Sequence, residues 1–72
     1  MSGLPQLSGQ EVARALAKAG FAEVSQRGSH RKLRDRDGHT VIVPMQKVVA
    51  KGTLASILRQ AAIEGDALRA LL

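Results

Sequence analysis

Gly28-Ser29-His30-Arg31-Lys32-Leu33-Arg34-Asp35-Arg36-Asp37-Gly38-His39-Thr40-Val41-Ile42-Val43-Pro44 is the stretch on which the fold turns. Its second half is the plainest. Asp37-Gly38 is a strong hairpin signal, and Thr40 to Val43 is a β-branched run that Pro44 terminates. Read backwards across that hairpin, His30 to Asp35 is a partner strand with Leu33 as its one clear core position. Alternation puts Ser29 and Arg31 on Leu33's side, and His30, Lys32 and Arg34 together on the other. Arg27-Gly28 supplies a turn into this strand from Phe21–Gln26, a weaker strand pattern. Phe21 and Val24 are both expected in the core, although an unbroken pleat cannot place both there.

Helices flank the three strands. Ser8 followed by Glu11 reads as a capping box, with Leu7 able to staple onto Val12. Val12, Ala15, Leu16 and Ala19 then repeat at helical spacing, and Gly20 stops the helix after about residues 9–19. On the far side, residues 45–51 read as a loop. Gly52-Thr53 opens a second helix capped by Thr53, with Leu54, Ile57, Leu58 and Ala61 on one face. Gly65-Asp66 breaks the chain, and Ala67–Leu72 makes a last short turn offering Leu68, Leu71 and Leu72. Residues 1–6 read as a loosely held lead-in. The expected architecture is α+β: a helix, a three-stranded antiparallel sheet and a helix, with both helices on one face of the sheet. The whole chain, 1–72, is one domain. The expected core is Val12, Leu16, Phe21, Val24, Leu33, Val41, Val43, Leu54, Ile57 and Leu58.

Composition narrows the function. At 72 residues the chain buries about 60 % of its unfolded surface, a thin margin. It has no cysteine and two histidines, so neither a disulfide framework nor a zinc site is expected, and no cofactor is called for. No apolar run approaches a membrane span and no secretory signal is visible, which makes the cytoplasm the expected compartment. The net charge is +5, and it is concentrated. Between Arg27 and Lys51, Arg27, Arg31, Lys32, Arg34, Arg36, Lys47 and Lys51 face only Asp35 and Asp37 in sequence. That third of the chain carries the entire excess, the footprint of a polyanion binder. Phe21 is the sole aromatic residue, which excludes a row of base-stacking rings.

In order and spacing, several pieces together resemble one family. They are Leu7-Ser8-Gly9-Gln10-Glu11-Val12, Ala19-Gly20-Phe21, Gly28-Ser29-His30-Arg31, the Asp37-Gly38 turn, Val41-Ile42-Val43-Pro44, and Lys51-Gly52-Thr53-Leu54 through Ile57-Leu58-Arg59-Gln60-Ala61. The chain is similar to the HicA-type (YcfA-like) toxins, the ribonuclease half of a bacterial toxin–antitoxin pair. The resemblance implies a fold like a double-stranded-RNA-binding domain. It also implies metal-independent cleavage of mRNA with His30 as the catalytic residue, and a HicB-type antitoxin covering the active face. The RNA-contacting residues would be Arg27, Gly28, Ser29, Arg31, Lys32, Arg34, Lys47 and Lys51. Two positions depart from the family pattern. Gln46 stands where a second histidine is frequent, so His30 needs another acid–base partner, for which Lys32, Arg31 and Gln46 through a water are the candidates. Ala62 stands where glycine is common, which suggests a different ending for the second helix. His39 reads as a hairpin residue without a catalytic role. The alternative function is a non-catalytic RNA-binding module using the same basic face.

Overall fold

The structure, a computed structural model, describes residues 4–72. Its elements are α1 (Gly9–Lys18), β1 (Ala22–Arg27), β2 (His30–Arg34), β3 (Thr40–Pro44), α2 (Lys51–Ala61) and α3 (Gly65–Leu71). The strands form one antiparallel sheet in the order β1-β2-β3. The α+β architecture expected from the sequence is the one found.

α1 begins as its residues dictate. Ser8 Oγ accepts from the Glu11 N–H at 3.1 Å, and Glu11 Oε1 accepts from the Ser8 N–H at 3.0 Å. This reciprocal pair satisfies two donors that a helix start leaves open. Val12, Ala13, Ala15 and Leu16 are buried by α1, and Leu33, Val41 and Val43 come up from the sheet to meet them. Leu54, Ile57, Leu58 and Ala61 of α2 complete the layer.

The core is larger than expected at its ends and smaller in β1. Leu4 and Leu7 are both 5 % exposed, so the lead-in is held from Leu4 onward, while residues 1–3 lie outside the described residues. Val49, assigned to a loop, is buried because its N–H donates to the Leu7 carbonyl at 2.7 Å in an isolated bridge. Leu68 of α3 is wholly buried and closes the core beside α1. Each such side chain adds roughly 1.5–3 kcal/mol of gross driving force.

Val24 corrects the reading of β1: it is 50 % exposed. The register runs Glu23↔Leu33 and then Ser25↔Lys32, leaving Val24 as the extra residue of a β-bulge. The bulge resolves the conflict between Phe21 and Val24 by resetting the alternation. Phe21 keeps the core, and Val24 leaves it.

Thr53 does not cap α2. The helix starts earlier, with the Leu54 N–H bonded to the Ala50 carbonyl at 2.8 Å, so Thr53 already lies in the first turn. Ala50 is the N-cap, without a side-chain bond, and Val49 just before it and Leu54 in the first turn are both buried. α3 likewise starts at Gly65 rather than Ala67. Ala62 also departs from expectation. It takes the left-handed conformation itself, φ 59° and ψ 39°, so α2 ends as it would with glycine. Ile63 N–H to Leu58 O (2.9 Å) and Ala62 N–H to Arg59 O (3.2 Å) satisfy the last carbonyls. These bonds, with Ile63 packed against the core, hold a conformation that alanine disfavours.

Candidate active site

The open face of the sheet is defined by strand register. Leu33 of β2 points into the core, so His30, Lys32 and Arg34 project from the opposite side. Directly paired residues share a face. Three rows therefore cross the open side: Arg27–His30–Pro44, Ser25–Lys32–Ile42 and Ala22–Arg34–Thr40. Ser25 and Arg27 belong to this face only because the bulge shifts β1 by one residue at Val24.

Ser25, Arg27, His30, Lys32 and Ile42 line a single cleft of about 340 Å³. His30 stands at the start of β2, immediately after the turn Gly28-Ser29. Gly28 has φ +56°, as the first central residue of a tight II′ hairpin requires. Gln26 Nε2 donates to the Gly28 carbonyl at 3.2 Å, and the Ser29 carbonyl accepts from the Met45 N–H. The turn that carries His30 is thereby tied to the segment leaving β3. That segment is itself held by α1, since the Gly9 N–H donates to the Gln46 carbonyl at 2.9 Å.

The remaining candidates fall in different places. Arg34 shares the open face, with its Nε donating to Thr40 Oγ1 at 2.9 Å. Arg31 lies on the helix side, at 3.0 Å from Glu23 Oε1 and 3.3 Å from Gln26 Oε1. It is not part of the cleft. Lys47, in the connection after β3, and Lys51, the first residue of α2, are exposed and do not line it either. Gln46 is exposed and also outside the cleft lining. Ser25 and Ile42 were missed as site residues. Ile42 could have been found, because burying Val41 and Val43 turns it outward. Ser25 depends on the bulge.

His39 belongs to the hairpin. Asp35 accepts the His39 backbone N–H and sits against the His39 ring, both at 2.8 Å. Gly38, at φ +88°, closes the three-residue loop by donating to the Asp35 carbonyl. Partial burial works against the charge on Asp35, but the bonds from His39 outweigh it and lower its pKa. Asp35, Asp37 and His39 offer ligand atoms within 4.8 Å of one another. They lie at the hairpin tip and none of them lines the cleft.

Chemically, the cleft joins an imidazole, a group that exchanges protons near neutral pH, to an ammonium and a guanidinium. No carboxylate lines it. Such a site suits an anionic substrate on which a proton must be moved. No helix is long and apolar enough to cross a membrane among the described residues.

The fold and this face define a small basic α+β domain with a histidine set among cations on an open sheet. Residues 9–63 match the family model described as the HicA toxin of bacterial toxin–antitoxin systems. The chain belongs to the HicA toxin family. Membership gives it the toxin's role in a toxin–antitoxin pair, and with it an antitoxin as partner. No curated protein matches the chain.

Proposed function

We propose that this toxin is an endoribonuclease that cuts mRNA in the cytoplasm and so stops translation, restrained by a HicB-type antitoxin seated over the open face. The observation that carries the proposal is the shared cleft of His30, Lys32 and Arg27, which no carboxylate lines. In the proposed reaction His30 takes the proton of a ribose 2′-hydroxyl, and the 2′-oxygen attacks the adjacent phosphorus. The bond to the 5′-oxygen breaks, that oxygen receives a proton, and the products end in a 2′,3′-cyclic phosphate and a 5′-hydroxyl. Arg27 and Lys32 neutralise the charge that builds on the phosphorane oxygens.

Three groups were candidates for the second proton transfer, and the geometry favours one. Arg31 faces the other side of the sheet against Glu23, and Gln46 does not line the cleft. A guanidinium does not release its proton in a protein. Lys32 remains, as the proton donor to the leaving oxygen.

Replacing His30 with alanine tests this reading. Cleavage of a single-stranded RNA by the purified variant should fall by about 10²–10⁴-fold, the usual contribution of positioned proton transfer. RNA binding should survive. Undiminished cleavage would assign the chemistry elsewhere. Binding without cleavage in both the parent and the variant would make the domain an RNA-binding module.

A further inference from the structure

We infer that the hollow between β3 and α2 is a base-recognition subsite, in which the Gln60 amide reads the nucleobase next to the phosphate held at His30. The inference rests on the RNA reading of the cleft and adds to it the source of sequence preference.

Ile42 is the starting point. It is 49 % exposed, and it is the residue common to two adjoining depressions. On one side is the cationic cleft with His30. On the other is a hollow of about 460 Å³, lined with Ile42 by Thr40, Gly52, Thr53, Ser56, Ile57 and Gln60. The two have opposite chemistry. The cleft carries Arg27, His30 and Lys32, whereas no ionisable side chain lines the hollow. A polyanion crossing Ile42 would therefore leave its phosphate in the first and place a neutral group in the second.

The polar groups of the hollow are of the kind that read base edges. Thr40 is committed, accepting from Arg34 and donating to the Gly38 carbonyl. Thr53, Ser56 and Gln60 make no side-chain hydrogen bond to any described residue. Gln60 is exposed, and its amide offers a donor and an acceptor in one plane, the pattern that pairs with a base edge. Ile42 supplies an exposed apolar surface for a ring, in a chain whose only aromatic residue is in the core. Unpaired bases splayed from a single strand are the form in which RNA sequence is usually read.

The test uses the His30→Ala protein, so that RNA stays intact, and single-stranded oligoribonucleotides with each of the four bases at successive positions. The subsite predicts a preference of about five-fold or more for particular bases at one position. Adding Gln60→Ala should flatten that preference to within about two-fold while leaving the salt dependence of binding unchanged. Gln60→Glu, which removes the donors, should reorder the bases. The inference is overturned if no base is preferred, if Gln60→Ala keeps the order, or if it weakens all oligomers equally with a shallower salt slope. If no oligomer binds even at low salt, the RNA reading of the cleft falls first. Salt-dependent binding that ignores Gln60 removes the subsite alone.

Discussion

Arg31 and Lys32 are adjacent in the chain and face opposite sides of the sheet. Arg31 is held at 3.0 Å by Glu23 on the helix side, and Lys32 stands between Ser25 and Ile42 in the open cleft. One cation is structural and the other is available to a ligand. Lys32→Ala should weaken RNA binding and reduce the slope of log affinity against log salt by about one. Arg31→Ala should leave the slope unchanged and lower stability by less than about 1 kcal/mol, as for an exposed ion pair. Equal slopes for the two variants would refute the assignment of faces. Titrations at several salt concentrations with a short single-stranded RNA decide it.

Ala62 holds a left-handed backbone that costs an L-residue about 1 kcal/mol relative to glycine. Ala62→Gly should stabilise the domain by about that amount, raising the melting temperature by about 4–8 °C for a chain of this size. A lowered melting temperature would mean that the alanine methyl contributes more than its strain removes.

Gly9 and Gly52 should respond oppositely to alanine. A Cβ on Gly9 would press on the Pro44 carbonyl and come within 2.7 Å of Met45 Cα, whereas one on Gly52 meets nothing within 4 Å. Gly9→Ala should destabilise by about 1–3 kcal/mol, because backbone rather than a flexible side chain must move. Gly52→Ala should add about 0.5–1 kcal/mol through helix propensity. Denaturant midpoints measure both. A tolerated Gly9→Ala would show that α1 and the segment after β3 are not in firm contact.

The Asp35–His39 contact predicts an acid dependence. A carboxyl whose pKa is lowered on folding contributes stability above its ordinary value of 3.8, and that contribution is lost as pH falls through the folded value. The parent should therefore be more stable than Asp35→Asn at neutral pH, and the gap should close as pH drops below about 4. Melting curves of both proteins between pH 2 and 7 test this. A gap of constant size would assign the effect to shape rather than charge.

The strands flanking Asp37-Gly38 and the capping box at Ser8 and Glu11 were legible because local chemistry alone specifies them. The open-face placement of His30, Lys32 and Arg34 followed from a single anchor, Leu33. Val24 was not legible. A bulge leaves no mark in a period-two pattern beyond the conflict with Phe21, and its resolution depends on β2. Val49 and the start of α2 were missed for a related reason. Both are set by the Leu7–Val49 bridge, a pairing 42 residues apart in sequence that propensity does not see. At the site, the basic residues could be counted from sequence but not sorted. Glu23 claims Arg31 through the sheet register, and only the register reveals it.

The proposed chemistry stands on paired strands. Among the described residues, His30, Lys32 and Ile42 are fixed by neighbouring strands, and the turn before His30 is tied through Met45 and Gln46 to the start of α1. A face built this way offers an effector paired strands, whose side chains it can cover directly. Its activity would then be a question of occupancy: a partner that silences it would do so by sitting where substrate sits. The active fraction would follow the ratio of toxin to antitoxin and the lifetime of their complex.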